Sequence, residues 1–304
     1  MAQNQTLKVS PSHTITVRQF ETLKIKQEKE EKLIQIAKQN LQNTLEILKW
    51  NVKNHIYVYR MSSKLIPLAT WRGFTFHFEK ELENEWKKLG EYIRKEDLRI
   101  SFHPDQFSVI NTPKQEVFEA CQRDLAYHSH MFECMGLDER YKIVMHVGGV
   151  YGDKQSAKDN FIHRFEMLPP NIQNRIILEN DDKSYTSLDV LEICEKIKIP
   201  MVLDVHHFAV NKEGESLKES LKRAIRTWEG ECFCPKLHFS SPRNEKEKRA
   251  HAEYINFSDF QNFFYIAHQV NHDLDIMLEA KAKELSLLRL RKQIEKQDLL
   301  PADF

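Results

Sequence analysis

Residues 200–210, PMVLDVHHFAV, decide the fold. Pro200 to Leu203 is a short apolar run with the β-branched Val202, and it reads as a fully buried parallel strand. The run then delivers Asp204, His206 and His207 in succession. A carboxylate and two imidazoles at the end of a buried strand are costly unless something pairs with them. A divalent metal ion can do so, so the rest of the chain must be asked for the remaining ligands.

Outward from this stretch, the chain alternates. Upstream, RIILENDD (175–182) and KIVMHVGG (142–149) read as strands, with helices over 153–167 and 186–197. RISFHPDQF (99–107) is a strand that ends at His103, because Pro104 cannot continue it regularly. Thr112 as N-cap and Pro113 at N1 predict a helix running to about Met135, with Gly136 placed to end it. A charged helix spans 79–95, and IYVYRMSS (56–63) is an apolar strand ending in Arg60, Ser62 and Ser63. From Glu28 to Lys53 the pattern is helical, with Leu33, Ile36, Ala37, Leu41, Leu45 and Leu48 recurring at three and four and charges on the other face. Downstream come a helix over 215–228, the strand PKLHFSS (235–241), a helix capped by Ser258 and ending near His268, the strand DIMLEAK (275–281) and a terminal helix.

Strands separated by helices imply right-handed βαβ units and a parallel sheet. Seven strands at this spacing suit an α/β fold of the (β/α)8 or TIM-barrel type, one domain over 1–304, with the first strand missing or degenerate. A doubly wound open sheet is the alternative, and no GxGxxG follows any strand. Within 1–20, TLKVS is a scrap of strand at most, and SPSHT reads as a loop.

The bulk numbers bound the rest. The chain has 304 residues, 41% of them hydrophobic, enough for a sizeable core. No apolar run approaches the roughly 18 to 20 residues of a membrane span, and the N-terminus has no signal-peptide apolar region. Five cysteines without framework spacing suggest reduced thiols and a cytoplasmic setting, and the chain is expected to be a soluble monomer without membrane contact. The Cys232–Cys234 pair is CxC, not the CxxC of a zinc site. With 45 basic and 45 acidic residues the net charge is zero, so any nucleic-acid surface must be local.

The strand ends carry the chemistry. His146, Glu179, Asp204 with His206 and His207, His238 and Glu279 stand at the C-terminal ends of the later strands, Arg60 and His103 at those of the earlier ones. In a parallel barrel these ends meet at the face where active sites lie. A lone strand histidine is usually a hydrogen-bonded core residue, and a lone glutamate pairs with a lysine. A carboxylate or imidazole at successive strand ends reads instead as a multinuclear Zn²⁺ or Mn²⁺ site rather than a Mg²⁺ site, which prefers oxygen. His251 and Glu253, in the loop after KLHFSS, could complete it. Lys236 lies two residues before His238, on the same face of its strand. A lysine there is a depressed-pKa amine, an anion binder or a carbamate formed with CO₂.

HPDQF, MHVGG, LENDD, LDVHH, KLHFSS and LEAK together resemble the ultraviolet damage endonuclease family over roughly residues 10–285. That family is a TIM barrel related to endonuclease IV. The resemblance implies up to three divalent ions, usually manganese, on His103, His146, Glu179, Asp204, His207, His238, His251, Glu253 and Glu279, with Mg²⁺ or Zn²⁺ as alternatives. It favours His207 over His206, so the chain must already be turning there. It implies a carboxylated Lys236 and a probing pair, Gln106 and Phe107, that enters DNA at the lesion. The family commonly has Gln-Tyr; Phe keeps the stacking face and loses the hydroxyl. Members open with a strand of the form Gly-Tyr/Phe-Val before the segment matching SPSHTIT, and no such strand precedes it here.

The activity so implied is hydrolysis of the phosphodiester immediately 5′ of an ultraviolet photoproduct, with Glu179, Lys236 and His238 as catalytic residues. Damaged double-stranded DNA would be held by Arg60, Ser62, Ser63 and the basic loop Arg243, Lys246, Lys248 and Arg249. The competing readings are an abasic-site endonuclease, a sugar isomerase on the same barrel, and a DNA-binding remnant without activity.

Overall fold

The computed structural model describes residues 3–73 and 76–297. The chain divides into two compact units, Lys8–Ile177 with Gln3, and Asn4–Leu7 with the residues from Leu178 onward.

The first unit holds β1 (Val58–Arg60), β2 (Arg99–Phe102) and β3 (Lys142–His146). β1 and β2 are parallel with Tyr59 opposite Ile100, and β2 and β3 are parallel with Phe102 opposite Ile143. Helix Lys26–Lys53 precedes β1, helices Glu83–Lys95 and Gln115–Cys134 join the three strands, and Lys154–Glu166 follows β3. The long helix forms because Leu33, Ala37, Leu41 and Leu48 recur at helical spacing, and all four are buried. Each buried leucine contributes roughly 1.5–3 kcal/mol. The same face carries Asn40, fully buried, whose amide clamps two loops. Its Oδ1 accepts from His13 N at 2.8 Å, and its Nδ2 donates to the carbonyls of His13 (2.8 Å) and Leu65 (3.0 Å).

The second unit holds β5 (Met201–Asp204), β6 (Lys236–Phe239), β7 (Asp275–Leu278) and the end of β4 (Ile176–Glu179). All pair in parallel, with Glu179 opposite Val202, Asp204 opposite His238, and His238 opposite Met277. Helices Ser187–Ile197, Leu217–Arg226 and Phe257–His268 lie between them in sequence, and Glu284–Lys296 follows β7. Thr186 and Asp189 make a capping box at the first of these. Parallel strands in sequence order, each followed by a helix, are the TIM-barrel class, with seven strands among the described residues.

Three local expectations need correction. Thr112 is not the N-cap. The helix starts at Gln115 after Lys114, and Thr112 Oγ1 instead accepts from Lys114 N at 3.3 Å, a local turn. Asn256, not Ser258, caps Phe257–His268, since its side chain accepts from both Ser258 N and Asp259 N. TLKVS makes no strand, because Gln5 to Lys8 form a turn. That turn is tied to the start of the terminal helix, with Thr6 N donating to Glu284 Oε1 at 2.7 Å and Gln5 Nε2 to Lys281 O at 3.3 Å. Gly136 does end its helix, in the left-handed region at φ 63°.

Candidate metal centre and nucleic-acid interface

In the second unit β5 ends at Asp204 because Asp204 is also a helix cap. Its Oδ1 accepts from His207 N at 2.7 Å and starts the short helix Val205–Val210. The turn separates the two histidines. His206 is buried against His251, ring centroids 5.0 Å apart, whereas His207 swings toward the carboxylates. His207 Nδ1 lies 3.6 Å from Glu179 Oε1 and 3.7 Å from Asp204 Oδ2.

Neighbouring strand ends supply the rest. His238 Nδ1 lies 2.8 Å from Glu179 Oε1 and 3.3 Å from Glu279 Oε1. One ligand atom each from Glu179, Asp204, His238 and Glu279 lies within 4.8 Å of the others. Asn180 fixes the edge of the cluster, its amide exchanging two hydrogen bonds with the Asp204 backbone at 2.8 and 3.0 Å.

These residues fit a divalent cation. Asp204 Oδ2 is buried and makes no hydrogen bond, which is costly for a carboxylate oxygen unless a cation takes it. The imidazoles are oriented for ligation. His207 Nδ1 lies 2.9 Å from Asn180 O, and His251 Nδ1 lies 2.8 Å from Glu279 O. A ring nitrogen facing a carbonyl carries the proton, so Nε2 presents its lone pair. Electrostatics agree. Burial, with Glu179 and Glu279 close by, pushes the Asp204 carboxyl up to about 8 against the pull of His207. Burial disfavours a charge on His207, but Asp204 and Glu179 outweigh it and hold the imidazole up to about 9. Without a cation the cluster keeps protons that ordinary carboxyl and imidazole groups release.

Lys236 is 1% exposed on β6, two residues before His238. The Glu253 side chain is exposed, and its carbonyl accepts from Ala282 N at 2.9 Å. The basic loop is largely self-paired: Arg243 with Glu247 at 2.7 Å, Lys248 with Glu245 at 3.7 Å, and Arg249 with Asp182 at 2.6 Å.

The first unit brings together His103 and His146, with ring centroids 5.2 Å apart. His103 Nδ1 lies 3.2 Å from Pro104 O, the same Nε2-presenting arrangement. Beside His103 opens a cleft of about 670 Å³ lined by Arg60, Ser62, Ser63, Lys64, Gln106 and Phe107 among others. Phe107 is 79% exposed, unusual for a phenylalanine unless it meets a partner. A network missed in the sequence stands behind this cleft. His128, fully buried, lies 2.8 Å from Ser63 Oγ through Nε2 and 2.7 Å from Asp124 O through Nδ1. Burial lowers the His128 pKa, so the ring is neutral; its one proton faces Asp124 O, and Nε2 accepts from Ser63. A histidine inside a helix, far in sequence from its serine, gives no local signal.

The chain is similar to several known proteins. A family model described as UV-endonuclease UvdE matches residues 1–301. A protein of Bacillus thuringiensis subsp. konkukian named UV DNA damage endonuclease is 41% identical over 285 residues, covering 94% of this chain and 90% of its own. The crystal structure of SacUVDE superposes with a TM-score of 0.88 at 32% identity, covering 98% of each chain. Endonuclease IV from Thermus thermophilus shares the fold, with a TM-score of 0.57 at 15% identity, covering 83% of this chain and 94% of its own.

Proposed function

The chain belongs to the UV-endonuclease UvdE family, and on that footing we propose that it is a metal-dependent DNA repair hydrolase cutting the phosphodiester immediately 5′ of ultraviolet photoproducts. The observation that carries the reading is the convergence of Glu179, Asp204, His238 and Glu279, with a buried Asp204 oxygen lacking a hydrogen bond.

Manganese, in up to three ions, is the proposed metal. The ligands are His103, His146, Glu179, Asp204, His207, His238, His251 and Glu279, with Glu253 as a further one. Divalent ions held by these residues would neutralise charge on the phosphate and lower the pKa of a water toward neutrality. The chain's own residues do the rest. Asn180 and the carbonyls of Asn180, Glu279 and Pro104 hold the imidazoles with Nε2 outward. Glu179 Oε1 and His238 Nδ1 lie 2.8 Å apart, which fixes the two ligands relative to each other. Lys236, beside His238, is proposed to carry a carbamate that adds an anion to the cluster.

Damaged double-stranded DNA is the proposed substrate. Phe107 and Gln106 would enter the duplex, Arg60 and Ser62 would hold phosphate, and Arg243 would add a peripheral contact. A photoproduct stacks poorly, so its extrusion costs less than that of an intact step. The whole chain, 1–304, is proposed to act as one domain, monomeric and cytoplasmic. No helix among the described residues is long and apolar enough to cross a membrane.

The test uses three end-labelled duplexes with Mn²⁺: one with a cyclobutane dimer, one with an abasic site, one undamaged. A cut immediately 5′ of the dimer is expected. A nick confined to the abasic duplex would replace this reading with abasic-site repair.

A further inference from the structure

Immediately after β3 and His146 the chain reads Val-Gly-Gly-Val-Tyr-Gly, residues 147–152. Three of these residues have positive φ: Gly148 at 119°, Tyr151 at 52° and Gly152 at 96°. Glycine does this freely; for an aromatic residue the left-handed region is strained. Tyr151 nevertheless sits there with 51% of its surface exposed, so the strain brings it only partial burial in return. Its ring lies over the Gly149 backbone, where an added methyl would be 2.7 Å from ring atom Cζ. The backbone is thus bent to hold an aromatic face outward, a pattern that points to function rather than packing.

This loop is braced to the one carrying Phe107. Asn111, fully buried, donates through Nδ2 to Gly149 O at 2.7 Å. A methyl on Gly148 would stand 2.3 Å from Asn111 Oδ1 and 3.1 Å from Val109 Cγ1, so only glycine lets the loops approach this closely. Asn160 Nδ2 holds the Asn111 carbonyl at 2.9 Å, and Ser108 Oγ donates to Asp124 Oδ2. β2 and β3 are parallel neighbours, so both loops leave the same edge of the first unit. Two exposed aromatic rings, Phe107 and Tyr151, are therefore carried on loops locked together through one buried amide.

We propose that Tyr151 is a second stacking contact for DNA, taking an unstacked nucleobase, with Asn111 as the positioning residue that keeps it in step with Phe107. The ligand class follows from the surface: a flat, exposed phenol ring on a loop braced to the one whose Phe107 lines the cleft with Arg60 and Lys64. Aromatic stacking accepts any base, at roughly 1–3 kcal/mol per base. The inference rests on the DNA reading above.

The experiment measures the Kd of the metal-loaded protein for a duplex with one cyclobutane dimer, and its melting temperature, for wild type, Tyr151→Gly, Tyr151→Phe and Tyr151→Trp. Tyr151→Gly relieves the backbone strain and removes the ring. It should melt at or above the wild-type temperature yet bind about tenfold more weakly, the weakening that loss of one stacked base gives. Tyr151→Phe should recover most of that affinity. The fluorescence added by Tyr151→Trp should be quenched by the duplex. A purely structural role for Tyr151 predicts the opposite pairing, with Tyr151→Gly less stable and binding unchanged. Wild-type binding with equal affinity for Tyr151→Gly, or an unquenched signal from the introduced tryptophan, overturns the stacking role and leaves the endonuclease reading intact. A wild-type protein with no affinity for the damaged duplex overturns both.

Discussion

Replacing Asp204 by asparagine separates what the carboxylate does for folding from what it does for the metal. Asp204 is fully buried, and its Oδ1 caps the helix Val205–Val210 through His207 N. Asparagine keeps that oxygen, so the cap survives. The carboxyl is held up to about 8 from an ordinary 3.8 by burial and by Glu179 and Glu279. A carboxyl raised in the folded state keeps a proton that the unfolded chain loses near pH 4. Its contribution is therefore fully favourable below pH 4 and is lost as pH rises toward 8. At about 1.4 kcal/mol per tenfold change in proton affinity, the full effect is ~6 kcal/mol. Solvent relaxation around the cluster reduces this to about 3 kcal/mol. Metal-free Asp204→Asn should thus exceed wild type in stability by about 3 kcal/mol at pH 8.5 and match it near pH 4.5, by urea unfolding in chelator. With Mn²⁺ the order should reverse: an ion at about 1,000 times its Kd stabilises wild type by about 4.1 kcal/mol and the variant by much less. Parallel stability curves across pH, or a variant weaker than wild type at pH 8.5 in chelator, would refute this reasoning.

Other outcomes follow from the same geometry. Phe107→Ala should cut damaged DNA at least tenfold more slowly with no loss of melting temperature, since the ring is 79% exposed; a sugar isomerase would be indifferent to it. Lys236→Ala should lower bound manganese per chain, measured by metal analysis, and high-resolution density showing a bare amine in wild type would remove the carbamate. Asn40→Ala should destabilise by about 2–4 kcal/mol, because four backbone groups, His13 N and the carbonyls of His13, Lys64 and Leu65, lose partners at a fully buried site. Unfolding in urea reads that change directly, and a loss below about 1 kcal/mol would show that water replaces the amide.

Much of the fold was legible because periodicity and strand ends carry it. LDVHH gave a buried strand and the need for a cation, and His207 rather than His206 reaches the carboxylates because Asp204 caps a turn between them. What escaped was tertiary. Thr112 and Ser258 look like caps by residue type, but competing local turns and a better-placed Asn256 take the role. His128, Asn40 and Asn111 act across sequence separations of 24 to 65 residues, which no local pattern encodes. Tyr151 had a visible signal in Gly-Gly-Val-Tyr-Gly, an aromatic among glycines after a ligand-bearing strand. Its left-handed backbone, however, is visible only in the folded chain.

The most direct measurement titrates Mn²⁺ into chelator-stripped protein while following both metal content and the cut at a single cyclobutane dimer. A carboxylate–imidazole metal centre requires no cutting before metal, full cutting at more than one ion per chain, and no recovery in Glu179→Gln at the same metal concentrations. Undiminished cutting by stripped protein, or by Glu179→Gln, would contradict a metal centre built on these strand ends.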